Sequence, residues 1–387
     1  MELRVAVVHD YLTQRGGAER VALAITRAFP GARLLTSVYN ADTTYPEFRD
    51  LDVETSWLQQ VPAFRRDPRK ALPLLAGAFD RMPLEDVDVV ICSSSGWAHG
   101  IPTAAPKIVY CHNPARWLYQ PQDYVHTQPA VVRGALRAFR PGLCRWDQRA
   151  AKQAVRYLVN STVVQERVRT TYGIDADVLP PPVSIEADAE RSAPAGVEPG
   201  YFLVVGRARG YKNVEVVCQA FCELPDQRLV VVGGLPAGRS WPANITGVED
   251  VPDAELRWYY ANCRAVLAVA HEDFGLTPLE GNAFGRPALV LRAGGFLDTL
   301  VEGVTGHYIE RLDPAAVLET VRTSLEIGLD GRAILAHADR YSAEAFQAEL
   351  HREVQAALLL GAVQHRRVPV RSWAVEQHQP LAAAQPV

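Results

Sequence analysis

No apolar run in the chain approaches the roughly 20 residues that a bilayer-spanning helix needs, so no transmembrane helix is expected. The start, "MELRVAVVHDYL", carries one arginine and then an alternating apolar strand, which is not the pattern of a secretory leader. Cysteine is sparse: Cys92, Cys111, Cys144, Cys218, Cys222 and Cys263 are scattered without the paired spacing of a disulfide framework. Cys218 and Cys222 stand four apart, which fits thiols on a buried helix better than a metal site. A reducing cytoplasm is the expected compartment. Neither first-strand loop holds the G-x-G-x-x-G fingerprint of a dinucleotide-binding oxidoreductase. The aromatic interleaving and modules of a nucleic-acid-binding protein are absent too, so no nucleic-acid partner is expected.

What is present is ordinary for a globular protein: 48% hydrophobic and 22% charged residues in a chain of 387. That length exceeds one typical core, so two domains are expected. The net charge of −4 hides an asymmetry, because residues 1–180 hold 22 Lys+Arg against 18 Asp+Glu and the remainder 18 against 26. Nine basic and two acidic residues fall within 131–170, and "FRRDPRK" at 64–70 adds to them. The plain reading is a solvated helix face. The sharper one is peripheral contact with an anionic membrane or a phosphorylated acceptor.

The pattern alternates strands and helices. "LRVAVVH" (3–9) reads as a buried strand, then a glycine-containing loop leads to a helix through "ERVALAITRAF". "VDVVICSS" (87–94), "PKIVYCH" (106–112) and "RYLVNS" (156–161) read as further strands ending in polar residues. A Pro-, Ala- and acid-rich stretch over 179–200 reads as a linker. Strands then restart at 201–207, 227–234, 264–271 and 287–295. The expected division is a first Rossmann-like domain over 1–180, a linker over 181–200, and a second over 201–341. A closing amphipathic helix over 342–360 and a disordered tail over 361–387 complete it. Repeated β–loop–α units build parallel sheets whose ligands sit beyond the carboxyl ends of the strands. Two such domains facing each other leave a cleft, the usual place for a ligand.

Several short segments carry candidate chemistry. "GRARGYKN" (206–213) follows a strand and leads into a helix, so backbone N–H groups near Gly206 and the cations Arg207 and Lys212 suit a diphosphate. Two solvated cations would look the same by spacing alone. In "HEDFGLTPLE" (271–280), Glu272 and Glu280 enclose a tight glycine turn after an apolar run. An acid favouring the start of a helix is the plain alternative for either. His112 ends the strand "IVYCH", and a strand-end histidine is more often structural. Gly16 and Gly17 either let the first loop approach a ligand or form a plain turn. His9-Asp10 superficially suggests a metal doublet, yet no spaced histidines follow. Asn160-Ser161 ends a strand facing the cleft, although a helix-capping serine explains it as well.

Taken in order, "GGAER" (16–20), "YCHNPARWLY" (110–119), "GRARGYKN", "HEDFGLTPLE" and "VEGVTGHYI" (301–309) resemble the retaining glycosyltransferases of family 4, with the GT-B fold. The similarity runs to about residue 360, and the nearest subgroup is the mannosyltransferases of bacterial polysaccharide assembly. The resemblance implies two Rossmann-like parallel-sheet domains facing across a cleft. It implies a nucleotide-sugar donor, GDP-mannose or a UDP-hexose, and a glycan, glycolipid or lipid-linked acceptor. Arg207 and Lys212 become the diphosphate clamp, stabilising charge on the leaving group without a metal or other cofactor. Glu272 would accept from donor-sugar hydroxyls, Glu280 from the ribose diol, and His112 would lie near the anomeric centre. Gly16, Gly17, Gly206, Asp273, Phe274, Gly275 and Leu276 would bind the donor through close backbone approach. Transfer would retain configuration, the acceptor attacking on the leaving-group side and the departing phosphate oxygen helping to take its proton. Alternatives with the same layout are a sugar-nucleotide epimerase and a non-catalytic sugar-nucleotide-binding protein. The chain departs from the family at Gly281 and Asn282, where small apolar residues are usual, and at Asp298, where glutamate is common.

Overall fold

The computed structural model describes residues 3–120, 130–206 and 210–367. Two sheets, each wholly parallel, form the two lobes. The first has seven strands: β1 (Val5–His9), β2 (Arg33–Thr36), β3 (Val53–Thr55), β4 (Val89–Ser94), β5 (Lys107–Cys111), β6 (Arg156–Val159) and β7 (Asp177–Val178), in the order β3-β2-β1-β4-β5-β6-β7. The second has six: β8 (Tyr201–Val205), β9 (Leu229–Val232), β10 (Ile245–Val248), β11 (Cys263–Ala268), β12 (Ala288–Leu291) and β13 (Gly306–Ile309), in the order β10-β9-β8-β11-β12-β13. Both are doubly wound, reversing beside the first strand of each lobe. That is where open parallel sheets leave a crevice.

The central strands are continuous apolar runs because helices cover both faces. Val5 to Val8 and Val89 to Cys92 are at most 4% exposed, and on the other lobe Tyr201 to Leu203 at most 1%. One cluster, with Val8, Val90, Val109 and Val159, fills one face of the first sheet, and another, with Val7, Ile91, Ile108 and Leu158, fills the opposite face. Alternate residues of the same strands thus serve different layers, as the pleat requires.

The final helix, Ala343–Arg367, returns to the first lobe. Phe346, Leu350, Val354 and Ala357 bury in the same cluster as Val5, Val7, Leu23 and Ile25. Glu353 receives both Arg156 Nε (2.6 Å) and Arg156 Nη2 (2.9 Å) from β6. The helix also runs past residue 360, where the sequence reading ended it. Gly361 is buried, and a Cβ there would lie 2.3 Å from Pro106 Cγ, so this glycine seats the helix rather than ending it. Residues 368–387 of the expected tail lie outside the described residues. The chain therefore crosses between lobes twice, and the crossings touch where Val183 N donates to Tyr341 O at 2.8 Å. Among the described residues no helix is long and apolar enough to cross a membrane.

Truncating Leu350, fully buried between the returning helix and the first sheet, leaves a hole under β1. Leu350→Ala is expected to destabilise the chain by about 2–5 kcal/mol. Thermal and denaturant unfolding of the variant beside the parent chain measures it.

Candidate active site

The segments after β1, β5, β6, β8, β11 and β12 converge on a cavity of about 360 Å³ between the lobes. Its lining includes Gly17, His112, Gly206, Lys212, Glu272, Asp273, Phe274, Gly275 and Leu276, so most of the sequence-derived candidates are brought together. Arg207 lies outside the described residues. Gly16 and Glu280 are not among the lining residues.

At the centre, Lys212 Nζ meets Glu272 Oε1 at 2.5 Å, with side-chain exposures of 29% and 18%. Lys212 reaches it by running its methylenes over Gly206, where a Cβ would lie 3.4 Å from Lys212 Cδ. Burial pulls the Lys212 pKa down, and the carboxylate of Glu272 more than reverses this, so the net shift is upward and the ammonium stays charged. Asn213 holds the turn in a left-handed conformation, φ 53°, with its Nδ2 donating to Val269 O at 3.0 Å.

Glu272 stands on a strand-to-helix turn built around glycine. Gly275, at φ 92°, precedes the Leu276–Asn282 helix, and a Cβ on it would meet Phe296 Cε1 at 2.3 Å. The second support is Gly294-Gly295: Gly295 N donates to Glu272 O at 2.9 Å, and a Cβ on Gly295 would lie 2.3 Å from Phe274 Cα. Two of the three departures from the family pattern, Gly281 and Asn282, are also packing devices. A Cβ on Gly281 would meet Val266 Cγ2 at 2.5 Å, so its absence lets the helix lie close on β11. Asn282, 1% exposed, donates through Nδ2 to Arg286 O at 2.8 Å.

Glu280, one face along that helix, accepts from the buried Tyr260 hydroxyl at 2.5 Å. Burial raises its pKa; the Tyr260 bond and the fields of Arg20 and Lys212 only partly oppose this. Arg20 belongs to the first lobe, packed over the Tyr45 ring at 4.4 Å, so the Glu280 end of the cleft also feels the facing lobe.

The first lobe contributes a polar relay. His112 Nε2 lies 2.8 Å from Ser93 Oγ, which in turn lies 3.0 Å from His9 Nδ1. Burial, reinforced by the neighbouring His9, pulls the His112 imidazole down to about 3, so it is neutral in the physiological range. Asn160 Nδ2 holds His112 O at 3.2 Å and also lines the cavity, while Ser161 caps the next helix by accepting from Val164 N at 3.3 Å. Both roles left open for this pair in sequence are filled. His9-Asp10 is no metal doublet: Asp10 accepts from Ser95 N, Trp97 N and Ala98 N, fixing the loop after β4. Gly16 is needed because a Cβ there would lie 2.5 Å from Oε2 of the buried Glu19, whereas Gly17 has open space on the cavity side.

Sequence reasoning missed Asn113, Arg116 and Arg167, which all reach the carboxylate of Asp273 across the cleft. Arg167 was visible only as one of the basic residues of a supposedly external segment. Asp-x-Asp doublets occur at Asp50/Asp52, Asp86/Asp88 and Asp175/Asp177, all at the amino ends of their strands, opposite the cleft. There Asp88 pairs with Arg4 and Asp177 with Arg156. Among the described residues, no three His, Cys, Asp or Glu side chains cluster in a way that would hold a metal ion.

Lys212 and Glu272 thus pair on adjoining loops of one doubly wound sheet, facing the interlobe cleft, and comparison with known proteins gives the family. Residues 15–187 match the model of Glycosyltransferase Family 4, and residues 187–338 that of Glycosyl transferases group 1. A D-inositol 3-phosphate glycosyltransferase of Mycobacterium sp. (strain JLS) is 26% identical over 314 residues, covering 70% of this chain and 72% of the relative. One from Segniliparus rotundus is 30% identical over 240 residues, 54% of each chain. Among solved structures, Anabaena Alr3699/HepE in complex with UDP superposes with a TM-score of 0.68 at 14% identity, covering 92% of this chain and 100% of that one. Sucrose-phosphate synthase from Thermosynechococcus elongatus gives 0.65 at 17% identity, with the same coverage. The chain belongs to the family 4 glycosyltransferases of GT-B fold, and is a transferase enzyme.

The depressed His112 pKa has a signed consequence. An unfolded imidazole titrates near about 6.5, so between there and about 3 the unfolded chain binds a proton that the folded chain does not. Stability therefore falls as pH drops through that window and is unaffected above it. His112→Gln is expected to flatten this part of the pH–stability curve, measured by denaturant unfolding at pH 7.5 and pH 4.5.

Proposed function

We propose that this glycosyltransferase moves a hexose from a nucleoside diphosphate sugar to a glycan, glycolipid or lipid-linked acceptor, with retention of configuration and without a metal ion. The observation that carries the reading is the Lys212–Glu272 pair at the floor of the interlobe cavity. An ammonium suits the charge that builds on a departing diphosphate, and a carboxylate suits a sugar hydroxyl. In the structure each satisfies the other, so donor binding would exchange one ion pair for two substrate contacts. Arg207, five residues before Lys212 in the chain, is the second cation of the clamp expected from the sequence. Glu280 takes the ribose end, where burial raises its pKa and Tyr260, Arg20 and Lys212 oppose that shift only in part.

His112 serves as a neutral hydrogen-bonding group near the anomeric carbon, its Nε2 already engaged by Ser93. It is neither a nucleophile nor a cation at working pH. The acceptor hydroxyl attacks from the leaving-group side; the bond to the phosphate oxygen breaks, and that oxygen takes the acceptor's proton. The protein contributes orientation and charge stabilisation rather than a covalent intermediate.

For the donor, the resemblance favours GDP-mannose, with a UDP-hexose second. Complexes of Anabaena Alr3699/HepE with UDP and with UDP-glucose support the nucleoside diphosphate hexose class. An acceptor at an anionic membrane surface, on the cytoplasmic side, is supported by the first lobe's exposed Arg65 and Arg66 and by the Ala130–Ala151 helix. That helix exposes Arg137, Arg140, Arg145 and Arg149 together with Phe139, 58% exposed. Such cations gain about 1 kcal/mol each near an anionic surface.

A thermal-shift screen of nucleoside diphosphates and their sugars identifies the base, since a ligand that binds only the folded state raises the melting temperature. With the donor known, Lys212→Ala and Glu272→Ala are each expected to lower kcat by about 10²–10³-fold while the circular dichroism stays that of the parent. Parent-like rates from both would remove the assignment. Chelator is expected to leave transfer intact, and its complete loss would contradict a cation clamp acting alone.

A further inference from the structure

Asp273 follows Glu272 in the chain, yet its carboxylate is bound by the other lobe. Oδ1 accepts from Arg167 Nη1 at 2.5 Å, and Oδ2 accepts from Asn113 Nδ2 at 3.1 Å and from Arg116 Nη2. All three donors belong to the first lobe, Asn113 and Arg116 from the loop after β5 and Arg167 from the Thr162–Tyr172 helix. A second clasp lies beside it. Asp298 Oδ2 accepts from Thr162 N and Oδ1 from Thr162 Oγ1, both at 2.7 Å. Thr162 and Arg167 are on one helix, separated by about 7.5 Å of rise, so a single element of the first lobe docks on two acids of the second.

Both acids lead back to Glu272. Asp273 is its neighbour in the chain. Asp298 sits on the short Phe296–Thr299 helix, which begins at Gly295, the donor to Glu272 O, and carries Phe296, the ring that packs on Gly275. The turn that presents Glu272 is thus held on one side by its own lobe's glycines and on the other by donors that reach it only when the lobes are together.

We propose that Asp273 and Asp298 are positioning residues that make the placement of Glu272 conditional on lobe closure, through the Thr162–Tyr172 helix and the Asn113–Arg116 loop. This rests on Glu272 acting on the donor sugar. Opening the cleft removes two guanidinium groups and an amide from Asp273 and releases the Glu272 turn. Closing it restores them and sets Glu272 opposite Lys212. Transfer geometry and exclusion of water then arrive in the same step.

A double-mutant cycle on the full chain tests this, comparing Asp273→Ala, Arg116→Ala/Arg167→Ala, and the combination. Asp273→Ala and the arginine pair are each expected to lower kcat by about tenfold or more, with donor KM changed less than about twofold. The combination is expected to cost no more than Asp273→Ala alone, because one interaction is being removed twice. Asp273→Asn, which keeps one acceptor oxygen, should fall between. In small-angle scattering without ligand, Asp273→Ala/Asp298→Ala should show a larger radius of gyration than the parent. Losses that multiply, a raised KM at unchanged kcat, or an unchanged radius would overturn the proposal, the second because it would make the arginines substrate-binding groups. Were the parent chain to transfer from no nucleotide sugar, the functional reading would fall, while the scattering comparison would still decide the clasp.

Discussion

One contact organises the cleft: a half-buried ammonium and a half-buried carboxylate, Lys212 and Glu272, at 2.5 Å across adjoining loops of one sheet. Removing two charges from water costs several kcal/mol each unless they meet, so neither loop can drift without exposing its partner to that cost. The pairing explains why so much nearby sequence is glycine. Gly206 leaves room for the lysine stem, Gly275 and Gly295 let the glutamate turn close on Phe296 and Phe274, and Gly281 draws the following helix against β11. Each lost Cβ removes an obstacle to a backbone path that the ion pair requires.

The long central strands were legible in sequence because they are apolar on both faces. β1, β4, β5, β6, β8, β9 and β12 fall within segments expected from their hydrophobic runs, and β11 begins one residue before its expected segment. The strands β2, β3, β7, β10 and β13 were not. β2, β3 and β7 have two to four residues, β3 is only partly buried, and "ITGV" of β10 carries a glycine and an exposed threonine. Such strands are specified by neighbours in the sheet rather than by their own pattern. The returning helix was legible as a helix, but its destination was not, because an amphipathic stripe does not say which sheet it will cover.

The site divides along the same line. Residues attached to a strand end and a glycine turn, such as Lys212, Glu272 and His112, were identifiable because the local setting and the family resemblance agreed. Asn113, Arg116 and Arg167 were not, since what brings them to Asp273 is the facing of two lobes encoded far apart in the chain. Arg167 sat in a segment whose excess of cations suggested an outer surface, and one of those cations is spent inside the molecule. Asp298, noted only as a shortened glutamate, proves to have the reach that fits Thr162 at both its N–H and its hydroxyl.

The returning helix also sets an order of events during synthesis. The first sheet, with its own helices, leaves the ribosome early, but the layer over Val5, Val7 and Ile108 stays open until Phe346, Leu350, Val354 and Ala357 emerge. Until then an apolar face meant for the interior is bare in a half-made chain, the kind of surface that invites association with chaperones or with other nascent chains. What matters is position, since the segment that seals the first lobe is encoded after the whole of the second. A lobe-by-lobe transplant between relatives would therefore have to carry this helix with the first lobe, although it is encoded after the second.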